Sequence, residues 1–170
     1  MRSPCAWPVE LDGLLSKFDA LPSLVVRNPP DSTLAHVPAL RSLVPFQLGL
    51  PNHVAQKTDW DLLHGGLLYA ADLLDDAHAL FQGANSPEGS YWHGMMHRRE
   101  GDFENARYWL SRAGAVEGIA RLPSFSPTAF ASECEESVGR DECPAHLLEM
   151  QRMEWESMML WSWQRLATPS

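Results

Sequence analysis

Residues 90–114 read SYWHGMMHRREGDFENARYWLSRAG and carry the strongest folding signals in the chain. Ser86-Pro87 precedes the segment, and a serine N-cap followed by proline is a typical helix start. Gly101 is suited to end that helix, and Asp102 to cap the next one. The pattern therefore predicts two helices joined by a tight turn.

A longer helix is predicted before this pair, over residues 58–82. Its apolar residues recur at helical spacing, at positions 63, 67, 70, 74, 77 and 81. Only about four residues separate it from the helix at 86–100, and so short a loop favours antiparallel neighbours. We therefore expect helices 58–82 and 86–100 to pack side by side.

Proline content divides the rest of the chain. Eight of the 13 prolines fall within residues 1–51, a spacing that excludes long helices there. We interpret residues 1–56 as a Pro-rich arm that wraps central helices in 57–122 and C-terminal helices in 123–170. Because no segment alternates apolar and polar residues with a period of two, we predict one all-α domain, a helical bundle over residues 1–170.

Composition and charge narrow the function classes. The chain has 170 residues, of which 45% are apolar and seven are Trp, enough for a substantial core. Its formal net charge of -9, without a Lys/Arg cluster, argues against nucleic acid or an anionic membrane as a partner. No apolar run approaches the roughly 18 residues of a membrane span, and the N-terminus lacks a signal-peptide pattern. We expect a soluble, cytoplasmic protein.

The histidines supply the clearest candidate site. His93 and His97 are four residues apart on the predicted helix, so they share a face, which Glu100 joins. Counting back from the loop places Asp75 and His78 within about one turn of them, roughly 5 Å of rise. Three imidazoles with one or two carboxylates can hold Zn²⁺, Fe²⁺ or Mn²⁺ and leave a coordination position open. Asp75 could instead orient His78 as a hydrogen-bond acceptor.

Other interpretations of these residues stay open. They could form a hydrogen-bonded polar network or a buried histidine cluster, or they could lie on a solvated helix face. The chain has no HExxH, GxSxG, P-loop or GxGxxG motif, so no reaction is indicated. Cys134, Cys143 and His146 lack a fourth zinc ligand. We expect a metal-binding or small-molecule pocket between helices 58–82 and 86–100, with a catalytic role left open.

Residues 87–114 resemble a single tetratricopeptide-repeat unit. The matching positions are Gly94, Gly101-Asp102-Phe103, Ala106, Leu110 and Ala113. No second copy follows at a 34-residue period, so the resemblance implies one helical hairpin rather than a solenoid. The segment also resembles a family of uncharacterised bacterial proteins that carry YWHxxMHRRExD, and this likeness brings no activity with it.

The repeat resemblance implies an alternative function. In that family the first helix turns one side toward a ligand groove, and Tyr91, Arg98 and Arg99 are among the matching positions here. The two arginines could clamp a carboxylate, which would make the protein a non-catalytic protein–protein interaction module. The interpretation that we favour for these arginines is that they are solvated and paired with nearby acids.

The last predicted helix is apolar nearly all the way round between residues 147 and 166. A helix on the surface of a monomer needs only one apolar stripe. The second side must therefore be covered by the Pro-rich arm or by another subunit. A homodimer through 147–166 and a cover from the same chain are equally open.

Overall fold

The computed structural model describes residues 8–17, 21, 23–26, 35–50, 57–122 and 124–167. This part of the chain contains helices and no strand, so the predicted all-α fold is confirmed. The α-helices are α1 (Val9–Leu15), α2 (Val37–Arg41), α3 (Lys57–Ala70), α4 (Leu74–Gln82), α5 (Pro87–Glu100), α6 (Phe103–Ala113), α7 (Pro127–Gly139) and α8 (Ala145–Ala167). Among the described helices, none is both long enough and apolar enough to cross a membrane.

The α5–α6 hairpin begins and ends where the sequence signals predict. The Ser86 hydroxyl oxygen accepts a hydrogen bond from the Gly89 N–H at 3.0 Å and caps α5. Gly101 ends α5 in the left-handed region at φ 84°, a conformation that glycine adopts without steric cost. Asp102 then caps α6 by accepting from the Asn105 N–H at 3.1 Å. The relation of this hairpin to the tetratricopeptide repeat stays a prediction.

The long helix predicted over 58–82 is wrong in one respect, because it is two helices. α3 and α4 are separated by a turn at residues 71–73, in which Asp72 has a φ of 61°. A residue in this left-handed conformation cannot continue an α-helix. Its carboxylate pairs with the buried guanidinium of Arg99, and this ion pair stabilises the turn between the two helices. Ala70 and Leu74, on either side of the turn, are both buried, so the predicted apolar positions still face the core although the helix is broken.

Helix α5 lies at the centre of the fold. Every residue from Tyr91 to Arg99 is buried, including two histidines and two arginines. α4 and α6 pack directly against α5, α3 packs against α4 and α8, and α7 packs against α6. A helix buried on all sides must provide partners for its polar groups, because burying them unpaired is costly. These partners position the candidate site.

The predicted arm contributes leucines to the interior. Its buried leucines are Leu11, Leu21, Leu24, Leu40, Leu43, Leu48 and Leu50. The other parts of residues 1–56, namely 1–7, 18–20, 22, 27–34 and 51–56, lie outside the described residues. Leu24 packs in a cluster with Phe103 and Phe130, and the other six pack in the main core. That residues 1–56 form a wrapping arm stays a prediction.

Helix α8 is covered at least in part by its own chain. Trp155 is buried, and its indole N–H donates to the Gly66 carbonyl of α3 at 2.9 Å. The side-chain amide of Gln151 donates to the carbonyl of Ser23 in the arm at 2.9 Å. Trp161 is half-buried against the same core. The homodimer through 147–166 stays a prediction.

Replacing Gly94 by alanine should lower the free energy of unfolding by about 1–3 kcal/mol. A Cβ at this position would lie 2.7 Å from Leu110 Cγ and 3.0 Å from the Leu110 backbone nitrogen, so α6 would have to move away from α5. Gly13→Ala is the matched control, because a Cβ at Gly13 meets nothing within 4 Å. Urea unfolding followed by tryptophan fluorescence measures both variants, and equal stabilities would contradict the close approach.

Candidate metal centre

Three histidines converge between α4 and α5. His78 of α4 and His93 and His97 of α5 each offer one ring nitrogen, and these three atoms lie within 4.8 Å of one another. The His93 ring centroid lies 4.7 Å from the His78 centroid and 4.7 Å from the His97 centroid. The His78 and His97 centroids are 5.4 Å apart. The predicted approach of these three side chains is confirmed, and they lie close enough to hold a metal ion.

Asp75 does not join them. The sequence-based count places Asp75 level with Gly94, but the ring of His78 contacts both His93 and His97. Asp75 precedes His78 by three residues, about 4.5 Å of helical rise, and its carboxylate is not among the ligand atoms that lie within 4.8 Å of one another. It is exposed in the first turn of α4 and supplies no ligand atom to the group.

Glu100 orients one of the imidazoles. His97 Nδ1 lies 2.9 Å from Glu100 Oε2, so a proton on Nδ1 is donated to the carboxylate. This tautomer leaves Nε2 without a proton, and Nε2 lies 3.2 Å from the Asn105 side-chain amide nitrogen, which donates to it. Metal-binding histidines are commonly held in this way by a carboxylate on the opposite ring nitrogen. Glu100 therefore acts on His97 rather than as a ligand.

The other two histidines are hydrogen-bonded to each other. Their Nε2 atoms are 2.9 Å apart, so one of the two rings carries the shared proton and donates it. Two nitrogens bound tetrahedrally to Zn²⁺ at about 2.0–2.1 Å would be about 3.3 Å apart. To admit the ion, His78 and His93 would separate by a few tenths of an ångström, and the proton between them would move to Nδ1 of the ring that carries it.

Helix α6 supplies two further residues that the sequence reasoning missed. The indole of Trp109 stacks on the His93 ring with centroids 4.3 Å apart, and Asn105 contacts His97. Counting outward from the predicted turn would have found both. His97 and Asn105 are each four residues from Gly101, and His93 and Trp109 are each eight.

His93 is electrostatically suited to bind a cation as a neutral ligand. Burial lowers the pKa of His93 to about 4, with a further contribution from the neighbouring His97 and His78. Its ring is therefore uncharged at neutral pH. A metal ion binding there at pH 7 would not have to displace a proton from a charged imidazolium.

This low pKa makes the stability of the metal-free protein depend on pH. Unfolded His93 takes up a proton near pH 6.5 and folded His93 only near pH 4, so the unfolded state holds more protons between these values. The free energy of unfolding should therefore fall as the pH drops from 6.5 to 4. Urea unfolding in EDTA at pH 7.0 and 4.5 should show a smaller fall for His93→Gln than for the wild type. Equal falls would contradict the shifted pKa.

The ligand groove expected from the repeat resemblance is not formed by Tyr91 and Arg98. Both side chains are fully buried. Arg98 pairs with Glu154 of α8, and its Nη1 lies 3.2 Å from Glu154 Oε1. The Tyr91 hydroxyl donates to the same carboxylate oxygen at 2.7 Å. The polar groups of Tyr91 and Arg98 therefore bond to Glu154 inside the fold and do not face a ligand groove.

Arg99 is likewise not available to an external carboxylate. It is fully buried and pairs with Asp72 in the turn between α3 and α4, and its guanidinium lies 5.3 Å from the ring centroid of Tyr69. The prediction that Arg98 and Arg99 clamp a ligand is therefore wrong. The interaction-module alternative loses the groove on which it depended.

The cysteine-based zinc site does not form in the described part of the chain. Cys134 is buried, and burial raises the pKa of its thiol to about 11, whereas Cys143 is exposed. A thiol with so high a pKa is a poor source of the thiolate that binds zinc. Among the described residues, the three-histidine cluster is the group of His, Cys, Asp or Glu side chains that meets the geometry of a metal site.

Comparison with known proteins does not assign a function to the chain. No family model matches the chain, and no curated protein and no solved structure matches it significantly. The function has to be inferred from the site itself.

Proposed function

We propose that the protein binds a divalent transition metal through His78, His93 and His97. The observation that carries this proposal is the approach of three imidazole nitrogens to within 4.8 Å of one another on two packed helices. His93 and His97 are only 5% and 7% exposed, so the helices rather than solvent set their positions. Imidazole is a nitrogen ligand that suits zinc and iron, whereas manganese prefers carboxylate, carbonyl and water oxygens.

Zn²⁺ fits this donor set best. Three protein ligands with a fourth position open are typical of catalytic zinc sites, whereas structural sites have four. Glu100 would support the ion by holding His97 in the tautomer whose Nε2 carries no proton, and the Asn105 amide, which donates to that Nε2, would have to turn aside. In such a site the bound metal supplies a Lewis acid and lowers the pKa of a coordinated water. The chain's own contribution is to orient the rings and to keep His93 neutral.

Direct metal analysis tests the proposal. Protein purified without chelators, stripped with EDTA and dialysed against Zn²⁺ should retain about one zinc per chain by mass spectrometry of the metal. His93→Gln should reduce the retained zinc by at least tenfold, since two imidazoles bind far more weakly than three. His146→Gln is the matched control because His146 is exposed on α8 and outside the cluster. Retention by the wild type and by His93→Gln alike would refute the site.

A further inference from the structure

A surface cavity of about 300 Å³ adjoins the histidine cluster. It lies among the end of α4, the loop that follows, the first turns of α5, and α6. Its lining includes His93 itself, so the cavity opens onto a proposed metal ligand. This volume is at the lower end of the range for small-molecule sites in proteins.

The cavity is cationic although the chain is acidic. The formal net charge is -9, yet the lining residues include Arg112 and no Asp or Glu. Gln82, Asn85 and Ser90 add amide and hydroxyl groups to the wall. Such a lining offers hydrogen-bond donors and one positive charge to a ligand.

Arg112 has no carboxylate partner in the part of the chain that the structure describes. Nine arginines lie there; seven pair with a carboxylate, and Arg112 and Arg121 do not. The Arg112 guanidinium carbon lies 5.4 Å from the ring centroid of Trp109, and Nη1 makes a 3.4 Å contact with the Tyr108 hydroxyl. Its charge is thus held over an aromatic ring without being neutralised.

The same indole connects Arg112 to the metal ligands. Trp109 stacks on His93, and Arg112 lies over Trp109. A ligand in the cavity can therefore reach the guanidinium and the His93 side of the cluster together. Arginine binds planar carboxylates through two parallel hydrogen bonds, which gives geometric as well as electrostatic selection.

We propose that this cavity binds a small organic carboxylate, held by Arg112 and lying beside the proposed metal ligand His93. The inference rests on the proposed metal site and adds to it the class of ligand. A neutral molecule of the same shape would lose the charge-assisted hydrogen bonds to Arg112.

Cobalt substitution provides the test. Co²⁺ in place of Zn²⁺ has visible absorption bands that respond to the ligands around it. Benzoate is the probe, since its planar carboxylate can accept two parallel hydrogen bonds from Arg112, and benzamide is its neutral counterpart. Benzoate should change the cobalt spectrum, and Arg112→Gln should weaken its binding about tenfold or more, as expected for the loss of a charged hydrogen-bond partner. Arg121→Gln is the control because Arg121 also has no carboxylate partner among the described residues but lies outside this cavity.

The possible failures can be told apart. If no cobalt bands develop in the wild-type protein, the metal site is refuted, and the carboxylate site with it. If cobalt binds but benzoate leaves its spectrum unchanged, the carboxylate site alone is refuted. Equal binding of benzoate and benzamide, or equal affinities of the Arg112→Gln and Arg121→Gln variants for benzoate, would also overturn it.

Discussion

Replacing Glu154 by glutamine is expected to lower the free energy of unfolding by about 3–5 kcal/mol. The side chains of Glu154 and Arg98 are both 0% exposed, so neither charge is stabilised by water. Glutamine keeps the size of the side chain but removes its charge, leaving the Arg98 guanidinium buried without a counter-ion. The Tyr91 hydroxyl also loses its charged acceptor.

An exposed ion pair provides the control for this prediction. Arg107 and Glu135 form a pair with side chains 34% and 49% exposed, and Glu135→Gln should cost less than about 1 kcal/mol. Replacing Arg98 and Glu154 together by methionine and leucine should recover part of the loss, because no buried charge then remains. Urea unfolding measures all three. A cost for Glu154→Gln no larger than that for Glu135→Gln would show that the pair is not buried as described.

The helix boundaries around the site could be predicted because their signals are local. A capping serine or aspartate satisfies backbone N–H groups within three residues of itself, and Gly101 alone accounts for the end of α5. The break at Asp72 could not be predicted in the same way. Its left-handed conformation is linked to a pair with Arg99, which is 27 residues away.

The burial of Arg98 and Arg99 could not be predicted from the helical periodicity of the sequence. Their positions on α5 follow from the sequence, but their exposure depends on what packs against that helix. Arg98 meets Glu154 from 56 residues away, and its guanidinium carbon lies 4.4 Å from the ring centroid of Phe130. One signal was available: an acid in the middle of a helix that is apolar nearly all round needs a buried cationic partner.

For the candidate site, helical spacing was enough to bring together His78, His93 and His97, because a four-residue loop leaves α4 little freedom to move away from α5. The level of α4 along α5 was less well determined. The sequence-based count puts Asp75 level with Gly94, whereas in the structure the His78 ring contacts His97, so the count is in error by about one helical turn. A one-turn error changes which side chain faces the cluster without changing which helices meet.

Zinc is expected to stabilise the folded protein by about 4 kcal/mol at a free concentration a thousand times its dissociation constant. The physical reason is that the site joins two helices. His78 is 15 residues from His93, so the unfolded chain does not hold all three imidazoles together. An ion that binds only the folded state shifts the folding equilibrium toward that state. Chemical unfolding with and without Zn²⁺ at pH 7.5 measures the difference.

Matched variants determine whether this stabilisation comes from the cluster. His78→Gln keeps the His93–His97 pair on α5 and should abolish most of the effect, whereas His146→Gln should retain it. Mg²⁺ should have no comparable effect, because it prefers oxygen ligands. If His78→Gln is stabilised as much as the wild type, the ion binds elsewhere. If zinc lowers the stability of the wild type, it binds the unfolded chain more tightly than the folded one, and the three histidines are then a hydrogen-bonded packing cluster between α4 and α5.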